Sequence, residues 1–141
     1  MADNLSKLQR SYAMSRIRSR DNASTELKFI EILRSNRISG WRRHARIPSR
    51  PDIIFRKERI AIFLDGCFWH GCPRCRLTPK SNTVYWDRKI KGNRRRDVQA
   101  SKLLEHKGWI VVRLWEHSLK TPRRRVAILR RVLAEMRRGL P

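Results

Sequence analysis

All three cysteines of the chain fall between Cys67 and Cys75, directly after the apolar run Ile60-Ala61-Ile62-Phe63-Leu64. Cys72 and Cys75 are separated by two residues, the knuckle spacing that grips a tetrahedral ion, and Cys67 and Cys72 are separated by four. A structural zinc site needs a fourth ligand, and His70 and His117 are the candidates. His117 is the better one, because a distant ligand closes a long loop and crosslinks two strands, whereas His70 lies only two residues from Cys72. The competing reading is three buried, reduced cysteines without a metal.

Lys and Arg number 35 against 12 Asp and Glu in 141 residues, a formal net charge of +23. Such an excess points to a polyanionic partner, and the length points to one domain with a modest core. A hydrophobic content of 40% separates the chain from a disordered basic tail. No apolar run approaches the length of a spanning helix, and the start MADNLSKLQR is too polar for a signal peptide. The expectation is a soluble, cytoplasmic nucleic-acid binder. Three thiols cannot all pair internally, which also favours metal binding over disulfides.

Residues 1–20 show no clear period and carry Lys7, Arg10, Arg16, Arg18 and Arg20, which reads as a basic arm that orders on its partner; residues 21–141 form the domain. A helix is predicted from Thr25, with Leu27, Ile30 and Leu33 inward and capping groups in Asp21 to Thr25. Trp41 to Ile47 alternates like a half-exposed strand. Asp52 to Phe55 and Ile60 to Leu64 read as two strands joined by the charged turn Arg56-Lys57-Glu58-Arg59. A helix over about 87–107, apolar late through Val98, Leu103 and Leu104, stops at Gly108. Trp109 to Trp115 is a strand, and Arg124 to Arg138 is an amphipathic helix with Val126, Leu129, Val132, Leu133 and Met136 inward. The order predicts an α/β fold, a central mixed sheet flanked by helices.

Three further groups carry chemistry. Asp52, in Arg50-Pro51-Asp52, opens one strand and Asp65 ends the next, so a hairpin brings both carboxylates to one sheet edge, where a hard cation such as Mg2+ would sit. His70 is either a general base beside that metal or a packed or zinc-bound histidine. Phe68 and Trp69 are either core or a wedge that enters between base steps, and Met14 in the arm is a weaker wedge candidate. Between Arg88 and Arg96 lie six cations, suited to sequence-independent phosphate contacts; Lys89, Asn93, Arg94 and Arg96 belong to this segment. Arg123 to Arg125 and Arg130-Arg131 are less informative.

These residues resemble a known family. Pro48-x-Arg50-Pro51-Asp52, Phe63-x-x-Gly66-Cys67-Phe68-Trp69-His70, Trp86-x-x-Lys89-Ile90-x-x-Asn93-x-x-Arg96-Asp97, Gly108-Trp109 and Trp115-Glu116 look like the very short patch repair (Vsr) mismatch endonucleases. The resemblance implies a restriction-endonuclease-like fold with structural Zn2+ and catalytic Mg2+. It also implies an enzyme that nicks one strand of duplex DNA 5′ of the thymine in a T:G mismatch left by deaminated 5-methylcytosine. By position it makes Asp52 the magnesium-binding carboxylate and the Leu64 carbonyl a second ligand. His70 becomes the catalytic histidine, and Glu26 an acid behind the site that orients water or His70. Met14, Phe68 and Trp69 become intercalating residues, and Cys67, Cys72 and Cys75 zinc ligands. His117 stands where the best-known member has a cysteine.

At position 65 this chain has Asp where the best-known member has a histidine. Asp65 then either binds the metal or acts indirectly on the phosphate environment. Further expectations are a monomer in the bacterial cytoplasm, associated with the nucleoid, with other mismatch-repair proteins as candidate partners. The runner-up function is a noncatalytic, zinc-stabilised basic nucleic-acid-binding module; a third reading is a restriction-like nuclease indifferent to mismatches.

Overall fold

In the computed structural model, which describes residues 25–75 and 81–139, the apolar run that precedes the cysteines is the central strand. This strand, β3 (Ile60–Asp65), is buried at every position. It pairs antiparallel with β2 (Ile53–Phe55), which pairs antiparallel with β1 (Trp41–Arg43). On its other side it pairs parallel with β4 (Ile110–Trp115), giving the order β1-β2-β3-β4. A parallel neighbour needs a crossover, supplied here by the long helix α2 (Thr83–His106). Helix α1 (Glu26–Ser35) precedes the sheet, and a 3-10 turn (Glu116–Leu119) and α3 (Pro122–Gly139) follow β4. The mixed sheet flanked by helices is thus as expected from the sequence.

Strand periodicity splits the core in two. Ile53, Phe55, Ile60, Ile62, Val112 and Leu114 pack with Phe29, Ile30 and Leu33 of α1 and Ile128 and Val132 of α3. Ile54, Ala61 and Phe63 pack on the other face with Leu104 of α2, beside Trp109 and Val111. Asp65 falls at the end of β3 on this second face, so the chain aims a carboxylate at α2 rather than at solvent.

Several local expectations are corrected. Leu27 is 41% exposed, and Phe29 and Ile32 fill the inner face of α1 with Ile30 and Leu33. Thr25 occupies the N-cap without a side-chain cap bond, and Asp21 to Ser24 lie outside the described residues. The strand from Trp41 ends at Arg43 rather than Ile47, because the backbone turns into the left-handed region at His44 (φ 49°) and again at Ser49 and Arg50. Helix α2 begins at Thr83, earlier than expected, and buries only Trp86 and Leu104; Val98 and Leu103 face solvent. In α3, Ile128 and Val132 are buried while Val126 and Leu133 are exposed, because only one narrow stripe of this helix meets the sheet. Among the described residues no helix is long and apolar enough to cross a membrane.

Gly108 ends α2 as expected. Its φ is 87°, its N–H donates to the Glu105 carbonyl and the N–H of Trp109 donates to the Leu104 carbonyl, each at 3.0 Å. This double bond pattern is a Schellman cap, which requires the left-handed conformation that glycine adopts without a Cβ penalty. It turns the chain straight from α2 into β4. Gly108→Ala should therefore lower the unfolding free energy by about 1 kcal/mol in urea titrations; an unchanged or raised midpoint would contradict this account of the turn.

Candidate active site and metal centre

Beyond β3 the chain leaves the sheet through Gly66 and folds over the end of β4. The N–H of His70 donates to the Gly66 carbonyl at 3.1 Å and that of Cys72 to the Cys67 carbonyl at 2.9 Å, coiling the loop so that its thiols converge. The Nδ1 atom of His117 lies 3.4 Å from the Cys67 sulfur, 3.6 Å from Cys72 and 3.4 Å from Cys75. Bonds of about 2.3 Å to sulfur and about 2.05 Å to nitrogen around a tetrahedral ion would hold such atoms about 3.5 Å apart. Three thiols and one imidazole, all within 4.8 Å of one another, therefore have the donor set and the span of a tetrahedral metal site. His117 sits in the 3-10 turn after β4, so a shared ion would tie the loop to the neighbouring strand. His70 points elsewhere.

Its Nδ1 lies 2.5 Å from Asp97 Oδ2 on α2 and 3.7 Å from Asp65 Oδ1. Burial acts to lower the His70 pKa, but the Asp97 hydrogen bond and the Asp65 and Asp97 charges outweigh it and raise the pKa above the usual histidine value. With Nδ1 donating to a carboxylate, the other ring nitrogen is the basic one. Asp65, 5% exposed, accepts from Nη1 of Arg113 on both oxygens, at 2.8 and 3.1 Å. Arg113 also donates to the Asp97 carbonyl at 3.0 Å and to the Ser101 hydroxyl at 2.8 Å, and its guanidinium lies 4.2 Å from the centre of the Phe63 ring. Burial pushes the Asp65 carboxyl above the usual range despite Arg113.

Asp52 faces the same cleft. One of its oxygens accepts from the N–H of Leu64 at 2.8 Å, yet burial, reinforced by the charges of Glu26 and Asp65, raises its pKa to about 6. A carboxylate held this way gains from a cation, which is a common mark of a functional site. Glu26, 2% exposed at the start of α1, takes Arg43 Nε at 3.1 Å and Nη2 at 3.0 Å. His44 Nε2 stands 2.5 Å from the same oxygen, off the hydrogen-bond direction. Glu26, Asp52, Asp65, His70, Asp97 and Arg113 all line one cleft of about 510 Å3. The structure thus brings Asp52 and Asp65 together as the hairpin reading expects, but gives Asp65 an arginine as its partner.

At the rim, Phe68 and Trp69 are half-buried rather than core. Their rings meet edge to face at 5.2 Å, and both rest on the buried Trp86 of α2, at 5.1 and 5.8 Å. The loop is seated on α2 at two further points. Asn93 donates from its amide to the Trp69 carbonyl at 2.7 Å and accepts from Arg96. Gly71 (φ 64°) leaves no space for a side chain, since a Cβ there would lie 2.6 Å from Ile90. Asn93 is therefore spent on the loop itself. Arg94 and Arg96 are exposed and Lys89 is half-buried. Met14, Arg16, Arg18 and Arg20 lie outside the described residues.

Sequence reasoning missed Asp97 and Arg113 as cleft residues and Arg43 as the partner of Glu26. Asp97 follows Asn93 by one helical turn, so the face that holds the loop also carries the histidine's carboxylate, a spacing that a helical plot of α2 displays. Arg113 had one signal: it is the single charged residue within β4, flanked by apolar ones.

Residues 2–76 match the family described as DNA mismatch endonuclease Vsr, just over half of the chain. Type II nicking enzyme V.XorIIP of Xanthomonas oryzae pv. oryzae is 38% identical over 135 residues, covering 94% of this chain and 98% of that protein. DNA mismatch endonuclease Vsr of Escherichia coli is 35% identical over 122 residues, 85% of this chain and 77% of its own. A third relative, type II nicking enzyme V.NaeI of Lentzea aerocolonigenes, is 44% identical over 68 residues, 48% of this chain but only 41% of that protein. The cysteine cluster, the cleft and these likenesses agree: the chain belongs to the DNA mismatch endonuclease Vsr family.

Proposed function

We propose that this endonuclease nicks one strand of duplex DNA 5′ of the thymine in a T:G mismatch, the step that opens very short patch repair of deaminated 5-methylcytosine. The observation that carries the reading is one cleft holding Asp52, with its carboxyl raised to about 6, and His70, paired through Nδ1 with Asp97, beneath the Phe68 and Trp69 rim. A noncatalytic binding module would leave that arrangement without a task. The fold is read as restriction-endonuclease-like, and the place of action as the bacterial cytoplasm, on the nucleoid.

Two metals fit the residues. Cys67, Cys72, Cys75 and His117 would hold a structural Zn2+. Asp52 would hold Mg2+, together with the Leu64 carbonyl. The N–H of Leu64 already points at Asp52, and the two main-chain groups of a strand residue project toward the same neighbour. Mg2+ so bound supplies positive charge to the scissile phosphate and lowers the pKa of water. His70 takes the proton of the attacking water on the ring nitrogen that Asp97 leaves basic, and Asp97 fixes the tautomer. Asp65, neutralised by Arg113, contributes to the field around His70 rather than to metal binding. Glu26, held by Arg43, orients water behind Asp52. Phe68 and Trp69, with Met14 from the arm, enter the base stack, at a cost of a few kcal/mol per step that is smallest at a mismatch. Arg16, Arg18, Arg20, Lys89, Arg94 and Arg96 contact phosphates, while Asn93 acts by holding Trp69.

On a T:G duplex with Mg2+, wild type should nick the thymine strand and leave the matched T:A duplex intact; equal cleavage of both would overturn the mismatch reading. Asp52→Asn and His70→Ala should each slow single-turnover nicking by about 100-fold to 10,000-fold while duplex binding persists. Full activity in both would overturn the residue assignments.

The pH dependence follows from the shifts. Nicking needs His70 neutral, so the rate should fall as pH drops below the raised His70 value. Stability runs the other way. The raised carboxyl of Asp52 contributes stability that is fully present below its unfolded value of 3.8 and lost as pH rises through about 6. With divalent ions chelated, Asp52→Asn should therefore melt higher than wild type at pH 8, with the gap closing toward pH 4. A variant that melts lower at pH 8 would contradict the electrostatic account.

A further inference from the structure

A basic concavity lies between the end of β4, the cysteine loop and α3, and shares only Arg113 with the acidic cleft among the residues described as lining them. Arg74, Arg124 and Arg131 line it with Trp115, Ser118 and Ile128, in a volume of about 280 Å3. No carboxylate lines it, and among the described residues none of the three arginines forms an ion pair. Arg124 and Arg131 are two helical turns apart on α3, so they share a face. Each is anchored by one nitrogen: Arg124 Nη1 donates to the His117 carbonyl at 3.3 Å and Arg131 Nη1 to the Arg113 carbonyl at 3.2 Å. Arg74 sits between Cys72 and Cys75, so whatever fixes those thiols also fixes its backbone. A guanidinium carries five N–H donors in a rigid fork, and one anchoring bond leaves most of them for an anion. Holding the fork in advance removes part of the ordering cost of binding.

We propose that Arg74, Arg124 and Arg131 form a phosphate-binding pocket that takes a backbone phosphodiester of the duplex outside the catalytic cleft. It rests on the reading of this chain as a duplex nuclease. Its place explains why the cysteine loop carries an arginine between two of its thiols: the same loop positions the aromatic rim on one side and a phosphate clamp on the other. The arginine-rich sequence of α3, uninformative by itself, acquires a task at Arg124 and Arg131 alone.

Salt-dependent binding separates this pocket from diffuse charge. On B-form DNA the slope of log K against log salt changes by about 0.9 for each phosphate contact. On a matched duplex long enough to cover the whole protein, Arg124→Gln/Arg131→Gln should reduce the slope by about 0.9, the share of the one phosphate the pocket holds, and each single variant by part of that, which keeps the test readable if the double variant is unstable. The control Arg56→Gln/Lys57→Gln removes the same charge from the exposed turn between β2 and β3 and should change the slope much less. Inorganic phosphate at the concentrations used should not compete with the duplex; efficient competition would make the pocket a free-phosphate site and overturn the proposal. Equal slopes for wild type and the Arg124/Arg131 variants, or equal losses in both double variants, would also overturn it, the first pointing to an acidic protein partner. Because matched duplex is used, these outcomes stand whether or not the T:G reading holds.

Discussion

Everything distinctive in this molecule hangs on how the loop after β3 is fastened to the end of β4. Cys67, Cys72 and Cys75 converge on His117 across the junction of two parallel strands. That convergence fixes where Phe68, Trp69 and His70 emerge, because all three lie between the first and second thiols. Without it the loop would keep its contacts with α2, through Asn93, Gly71, Trp86 and Asp97, but lose the link from its thiols to His117. Closing a loop between residues 67 and 117 limits the unfolded chain far more than a local ligand such as His70 would, and it leaves that histidine available for chemistry.

The cleft beside the loop is built against the stability of the apo fold. Buried polar side chains among the described residues are few, and Glu26, Asp65 and His117 belong to the site. Each is satisfied by something specific: Arg43 for Glu26, Arg113 for Asp65, the thiols for His117. Half-buried Asp52 differs, with one backbone N–H and, among the described residues, no cationic side chain bonded to it, and its carboxyl is correspondingly raised. A group left in that state in a cleft otherwise carefully compensated is where an external cation is most stabilising. Arg113 has the opposite role: by bonding Asp65 and the Asp97 backbone it keeps two carboxylates close to His70 without leaving both uncompensated.

Much of this was legible in the residue string because the informative patterns are short and local. The C-x-x-C knuckle, the hairpin bounded by Asp52 and Asp65, and Gly108 each report a geometry set within a few residues. Helix faces were less legible. Leu27 and Val126 sit at plausible core positions, but the rotation of α1 and α3 is set by where Phe29 and Ile128 find space on the sheet, a property of the assembled sheet rather than of the helix. The partners of the cleft groups were least legible of all. Asp97 reaches His70 from 27 residues away and Arg113 reaches Asp65 from 48 away, and no local period marks such pairs. Asn93 shows the same limit in reverse, since it lies in a basic stretch suited to phosphates yet holds the Trp69 carbonyl.

In the proposed function, a metal shared by the three thiols and His117 holds the loop that carries Phe68, Trp69 and His70. X-ray absorption at the zinc edge of the purified chain, paired with metal quantitation, tests it most directly. The account predicts one zinc per chain, with three sulfur neighbours near ~2.3 Å and one nitrogen near ~2.05 Å, and a sulfur lost in Cys75→Ser. A chain that nicks DNA at full rate with no zinc bound, or zinc held by oxygen and nitrogen alone, would contradict it.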